Sequence, residues 1–300
     1  MRNLLIFLLA GWVFCFNAHA EPPNPDNLQL ASVSAKVASV NDGSALYEKR
    51  ADWVVPIASV TKLMTAMVVL DSGADLNERL EVTKRHFPAA ANAYSRIRPG
   101  SRAKRKDLLH IAVMSSENYA AYLLAWHHPQ GYDAFIQAMN DKAQALGMEN
   151  TQFVDSSGLS IENVSSADDL VTMLTAAYGY EEIRNASTSA KHDVWFTHPG
   201  YSLYYANTNP LVRSSRWDVL LSKTGYLSEA GRCLVMVANV QNKPTAFVFL
   251  DSFGKRTPLG DAGRTRRWLS GTASGRIAGA AAQYEKDKAQ KLSVVQIAQD

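Results

Sequence analysis

Cysteine is nearly absent from this sequence. Its 300 residues hold two, Cys15 and Cys233, too few for a disulfide framework and in no CxxC pair. The seven histidines form no H-E-x-x-H, so a zinc peptidase of that kind is excluded and no metal is expected. No G-x-S-x-G occurs, which excludes the nucleophile elbow of an α/β-hydrolase. One-signed charge is also missing: the formal net charge of +3 is too small to argue for nucleic acid, and none is expected as a partner. No internal repeat is found. Hydrophobic residues make up 47% and charged residues 20%, a globular balance that excludes disordered, collagenous and coiled-coil chains.

Long apolar runs are absent after the first twenty residues. Met1-Arg2-Asn3 is a short positive start, residues 4–16 are almost wholly apolar, and Ala18-His19-Ala20 fits a small-x-small cleavage site. This pattern predicts a signal peptide over 1–20, with Glu21 as the new N-terminus and the periplasm as destination. Thirteen apolar residues reach about 20 Å as a helix, short of the ~30 Å hydrocarbon core, so no integral membrane anchor is expected. Phe14 stands where lipid attachment at Cys15 needs a small residue. Cleavage leaves Cys233 alone in Arg232-Cys233-Leu234-Val235-Met236-Val237, the setting of a buried strand cysteine.

Beyond the leader, the sequence reads as strands, then helices, then strands, then a helix. Residues 32–40 are β-branched and small, Asn41-Asp42-Gly43-Ser44 is a hairpin turn, and 45–47 return. Helical spacing marks 59–70, 107–125 and 132–146 within a helical block of about 59–190. Strand-like runs follow at 217–222, 232–240 and 245–250, and a closing helix at 261–270. This order predicts an α+β domain with an antiparallel sheet shared by the two ends of the chain. The expected catalytic domain is 21–270, with a sheet subdomain from about 31–58 and 191–270. Residues 271–300 have few large apolar groups and are expected as a mobile or loosely helical C-terminal tail.

Three short motifs carry chemistry. Ser59-Val60-Thr61-Lys62 places a hydroxyl and an amine at i and i+3 on a helix, within reach of each other. A serine becomes a nucleophile when a base takes its proton, and Lys62 is that base if burial keeps it neutral. S-x-x-K also occurs at Ser101 and Ser252, but only Ser59 is followed by an apolar helix. Ser116-Glu117-Asn118 offers a proton shuttle in Ser116 and a substrate-holding amide in Asn118; Ser39-Val40-Asn41 repeats the pattern in the hairpin. Lys223-Thr224-Gly225 ends a strand-like run. Lys223 and Thr224 suit a substrate carboxylate, Gly225 permits close approach, and the Tyr226 N–H can join that of Ser59 as an oxyanion hole. Lys62 and Ser116 are 54 positions apart, Asn118 and Lys223 are 105 apart, and this ordered triple is the active-site set of the penicillin-recognising serine enzymes.

From about residue 31 to 269 the sequence resembles the low-molecular-mass penicillin-binding proteins, the D-alanyl-D-alanine carboxypeptidase and endopeptidase family. Pro56-Ile57-Ala58-Ser59-Val60-Thr61-Lys62-Leu63-Met64-Thr65, Phe153-Val154-Asp155-Ser156-Ser157-Gly158-Leu159-Ser160, Asn207-Thr208-Asn209 and Lys223-Thr224-Gly225-Tyr226 with Ala230-Gly231 carry the likeness. Ser115-Ser116-Glu117-Asn118, 143–151 and 207–225 are most similar to its endopeptidase branch. Within the family as a whole Ser-Glu-Asn is less usual than Ser-Gly-Asn, and Leu227 stands where Thr is frequent.

The resemblance implies a transpeptidase-like fold: a five-stranded antiparallel sheet flanked by helices, beside an all-helical subdomain. It implies a cofactor-free serine peptidase in which Ser59 attacks a D-alanyl carbonyl of peptidoglycan and is acylated by β-lactams. Cleavage of D-alanyl-diaminopimelate cross-links is expected first, and removal of terminal D-alanine second, since both leaving amines carry a neighbouring carboxylate. A class A β-lactamase needs a deacylating E-x-x-L-N; the nearest stretch, Glu181-Glu182-Ile183-Arg184-Asn185, lacks the Leu and lies too far along. A β-lactam or cell-wall sensor on the same fold normally carries a transmembrane tether. Residues 84–106 hold eight cations and no carboxylate, a solvated face that would attract anionic cell-wall strands.

Overall fold

The computed structural model describes residues 23–85 and 93–297, with side chains to residue 294. The leader expected at 1–20 lies outside the described residues. Strands β1 (Ser34–Ser39) and β2 (Ala45–Lys49) form the first hairpin, in whose turn Gly43 takes φ +71°. Then come β3 (Val55–Pro56), a 3-10 turn over Ala58–Thr61, α1 (Lys62–Asp71), β4 (Arg79–Glu81) and β5 (Arg102–Lys104). The helical region holds α2 (Arg105–Met114), α3 (Asn118–Trp126), α4 (Tyr132–Ala145), β6 (Val164–Ser165), α5 (Ala167–Tyr178) and α6 (Glu181–Thr188). It is followed by β7 (Lys191–Phe196), β8 (Tyr201–Ala206), β9 (Val219–Leu227), β10 (Gly231–Val240), β11 (Lys243–Ser252), α7 (Thr257–Leu269) and α8 (Gly279–Ile297).

The main sheet runs β2-β1-β11-β10-β9, antiparallel throughout, so the two ends of the chain do share it. Its central strands lack a polar face because both faces are covered. Val235, Val237, Ala246 and Val248 point into the core built with α1 to α6. Their neighbours Leu234, Met236, Phe247 and Phe249 point the other way, onto Ala262 and Trp268 of α7. A fully buried side chain of this size contributes ~1.5–3 kcal/mol of transfer free energy. Polar groups fasten the chain start to α7: buried Asp261 accepts from the N–H groups of Ala31 (3.0 Å) and Ser32 (2.8 Å).

Three expectations are corrected. The helical span 107–125 is two helices, broken at Ser115–Glu117, where Ser116 takes φ +61°. Residues 191–206 do not enter the main sheet; β7 and β8 pair only with each other and pack beside α2 and β5. Of the two forms expected for the tail, the helical one is found, as α8. It is held by polar contacts rather than an apolar stripe: Tyr284 donates to buried Asp251 (2.6 Å), Lys288 pairs with Asp251 (3.1 Å), and Glu285 pairs with Lys49 (3.1 Å) and Arg50. The cationic run is also not one solvated face, since Arg105 is buried against Glu78 and Arg85 lies over the Tyr119 ring (4.6 Å). Among the described residues, no helix is long and apolar enough to cross a membrane.

Candidate active site

The nucleophile segment is built on a constrained turn. Ala58 takes φ +48°, a conformation costing a non-glycine residue ~1–2 kcal/mol, and the 3-10 turn that follows presents Ser59 half-buried at the mouth of a cleft. Lys62 is the first residue of α1 and is fully buried behind Ser59. Its Nζ lies 2.8 Å from Ser59 Oγ, donates to Asn118 Oδ1 (2.7 Å) and donates to the Ser157 carbonyl. Burial pushes the Lys62 amine down to about 7, against the upward pull of the Asp155 and Glu117 carboxylates. At pH 7 such an amine is half neutral, against roughly one molecule in three thousand at the ordinary lysine pKa. A neutral amine bonded to the Ser59 hydroxyl can take its proton.

A second hydroxyl–lysine pair faces the first. Ser116, in the break between α2 and α3, accepts from Lys223 Nζ (2.9 Å). Lys223 comes from β9, is almost fully buried, and also donates to the Thr224 carbonyl (2.7 Å). Burial, and then the Lys62 charge, hold its amine well below the usual lysine range. Asn118 opens α3, whose first turn is capped by the Glu117 carboxylate accepting from Tyr119 N (3.2 Å). Thr224 bonds to Thr208 across the cleft floor (2.7 Å). Gly225 brings β9 against the nucleophile: a Cβ there would stand 2.9 Å from the Ile57 carbonyl and 3.3 Å from Ser59 N. Tyr226 is half-exposed, with the Arg232 guanidinium 3.6 Å from its ring centroid. Ser59, Ser116, Asn118, Thr224, Gly225 and Tyr226 all line one open cleft of about 710 Å³, with Lys62 and Lys223 buried behind the hydroxyls.

Residues 18–254 match the sequence family described as D-alanyl-D-alanine carboxypeptidase. The chain belongs to that family. It is 46% identical over 265 residues to a D-alanyl-D-alanine endopeptidase of Escherichia coli, covering 88% of this chain and 86% of that protein. It is equally identical over 276 residues to one from Pseudomonas aeruginosa, covering 90% and 89%. Among solved structures, the Streptomyces K15 DD-transpeptidase superposes with a TM-score of 0.75 at 27% identity, over 81% of this chain and 98% of that one. Penicillin-binding protein D2 of Listeria monocytogenes, solved with ampicillin bound, gives 0.70 at 28%, over 81% and 98%. The transpeptidase-like fold, with its sheet and helical region meeting at the cleft, is thus the family's.

This member of the D-alanyl-D-alanine carboxypeptidase family also uses residues that motif spacing did not single out. Asp155 anchors the loop behind Lys62: its carboxylate accepts from Ser157 N (2.5 Å), Ser157 Oγ (2.8 Å), Gly158 N (2.7 Å) and Ser160 N (2.7 Å). That grip aims the Ser157 carbonyl at Lys62. Buried Asn163 braces the same loop, donating to the Asp155 carbonyl (2.9 Å) and to Thr61 Oγ1 (3.1 Å). The D-S-S-G run is a turn signature that pointed to the loop, but a backbone carbonyl leaves no side-chain signal for its role. Arg213, Arg232, Lys255 and Arg256 add cations to the cleft, and no carboxylate lines it. Cys233 is buried on β10, and burial pushes its thiol up to about 12, so it is no nucleophile. Among the described residues no cluster of three or more metal-ligating side chains occurs.

Asp155→Ala frees four donors and lets the Ser157 carbonyl leave Lys62. The expected result is an acylation rate by fluorescent penicillin lower by about 10–100-fold, since an ångström of misplacement costs that order. An unchanged rate would show that the loop needs no anchor.

Proposed function

We propose that this chain is a periplasmic serine endopeptidase that opens D-alanyl-diaminopimelate cross-links in peptidoglycan. The observation that carries the chemistry is buried Lys62, 2.8 Å from Ser59 Oγ. Neutral Lys62 takes the Ser59 proton as Oγ attacks the D-alanyl carbonyl. The N–H groups of Ser59 and Tyr226 hold the oxyanion. Ser116, polarised by Lys223, passes a proton to the departing amine, and the C–N bond breaks to leave an ester on Ser59. Water then adds to that ester and Ser59 regains its proton. Asn118, Lys223 and Thr224 hold the peptide, and the cleft cations suit the carboxylate beside the leaving amine. A β-lactam enters by the same attack and remains as a stable ester, because its leaving amine stays tethered.

The choice of bond rests on the likeness to the two endopeptidases; the family's carboxypeptidase members favour the second reading, loss of terminal D-alanine. Digestion of purified cross-linked muropeptide dimers and of monomeric pentapeptide, read by mass spectrometry, separates the two. Dimers falling to monomers with pentapeptide spared is the expected result, and Ser59→Ala yields neither product. Release of terminal D-alanine alone overturns the endopeptidase reading. Neither product, with penicillin still bound, favours a sensor.

A further inference from the structure

The β7–β8 hairpin carries a surface that the cleft chemistry does not use. Its register sets Asp193 opposite Tyr204 and Trp195 opposite Ser202, so Trp195 and Tyr204 are diagonal neighbours on one face. Diagonal positions stand ~7–8 Å apart, within reach of one extended ligand. Both rings point outward, at 56% and 53% exposure, while Val194, Phe196 and Tyr205 of the opposite face are buried. The Trp195 indole rests against Gly200, where a Cβ would stand 3.3 Å from the ring.

One cation lies at the strand edge beside this pair, and a second stacks on the opposite face of the hairpin. Arg96 donates to the Tyr204 carbonyl (2.5 Å) and lies 4.8 Å over the Tyr205 ring. Arg98 lies 4.7 Å over the Tyr201 ring, and its backbone N–H donates to the Tyr201 hydroxyl. Neither guanidinium is in an ion pair among the described residues; Asp193, on the aromatic face, is the nearest carboxylate in the register, and Glu81 is taken by Arg102 (3.3 Å). A third aromatic, Tyr94, is 84% exposed two residues before Arg96. Two large exposed rings side by side on one face mark a binding surface.

The chemistry of that face fits a charged polysaccharide. The apolar faces of pyranose rings stack on flat aromatic side chains, and fixed guanidiniums attract carboxylates without a desolvated partner of their own. The face is also continuous with the cleft. β8 runs directly into Asn207-Thr208-Asn209, and Thr208 lines the cleft. The four residues from Tyr204 to Thr208 span ~13 Å as extended chain. A four-residue stem peptide reaches at most ~14 Å from its sugar.

We propose that Trp195 and Tyr204, with Arg96 at the strand edge beside them, bind the amino-sugar strand from which the substrate's stem peptides hang. This rests on the reading of peptidoglycan as substrate. The test is affinity electrophoresis of the full chain through gels holding glycan strands stripped of peptide, with cleavage of insoluble cross-linked peptidoglycan and of soluble muropeptide dimers measured alongside. Wild type is expected to be retarded by stripped strands. The double variant Trp195→Ala/Tyr204→Ala is expected to bind about tenfold more weakly and to cleave insoluble material correspondingly more slowly, as truncation of two aromatic anchors does. Its cleavage of soluble dimers stays at the wild-type rate. Absence of retardation in wild type, equal retardation of the variant, or an equal loss on soluble dimers overturns the proposal. Retardation of a wild type that cleaves no dimer overturns the endopeptidase reading and leaves the glycan face standing.

Discussion

Replacing Lys62 by methionine is expected to slow acylation of Ser59 by roughly 10³-fold or more, the upper range for removing a general base. Lys62→Arg is expected to be as slow, although it keeps the positive charge, because a guanidinium with a pKa above ~12 cannot become a base. In wild type the acylation rate rises with pH through about 7, where the buried amine loses its proton, and then levels. Both variants lose that rise. Stability carries the same signature. Between about 7 and the ordinary lysine value of 10.5 the unfolded chain holds a proton on Lys62 that the folded chain does not. Folding stability therefore rises with pH across that window, and the gain is fully lost once the pH has fallen to about 7. Melting temperatures of wild type and Lys62→Met between pH 6 and 9 test it: wild type must gain on the variant with rising pH. A constant difference, or acylation by Lys62→Arg at the wild-type rate, removes Lys62 from the role of base.

What could be read from the sequence follows the physics of each part. In the proposed mechanism Ser59, Lys62, Ser116, Asn118, Lys223, Thr224 and Gly225 act through side chains, or through the lack of one, in short runs, so residue type and order single them out. Ser157 acts through its carbonyl, which every residue type supplies, and its orientation is set by Asp155 in a turn that spacing alone cannot weight. The sheet was legible because hydrophobic strands and turn residues alternate along the chain. The break at Ser115–Glu117 was not, because apolar helical spacing continues across it while the backbone turns through positive φ at Ser116. The docking of α8 was not legible, for the opposite reason. Tyr284, Glu285 and Lys288 hold it by polar contacts to Asp251, Lys49 and Arg50, and such contacts leave no periodic apolar stripe. The β7–β8 hairpin was not read as strands at all, and its stretch fell in the sheet subdomain only through the approximate bound at 191.

Gly158→Ala is expected to damage both fold and chemistry, and Gly225→Ala much less. At Gly158 the backbone sits at φ +76°, and an added Cβ would lie 2.0 Å from the Ala58 carbonyl oxygen and 2.9 Å from Ser59 N. No flexible side chain can yield there; the clashing atoms are the backbone of the nucleophile turn, already in a left-handed conformation at Ala58. Overpacking costs ~1–3 kcal/mol and the left-handed alanine ~1–2 kcal/mol more. At ~2–4 °C per kcal/mol for a domain of this size, the melting temperature should fall by about 5–15 °C. Relief comes from moving Ala58 and Ser59 away from the loop. That lengthens the Ser59–Lys62 contact and withdraws the Ser59 N–H from the oxyanion hole, so acylation by fluorescent penicillin should drop by about 10²-fold or more. At Gly225 the closest approach is 2.9 Å, to the backbone carbonyl of Ile57, with Ser59 N at 3.3 Å; the backbone must move there too, but by far less than at Gly158, and no positive φ is needed. Two alanines on opposite sides of one turn thus separate displacement of the nucleophile from simple crowding. A Gly158→Ala protein that melts lower but acylates at the wild-type rate would mean that the loop, not the nucleophile turn, gives way.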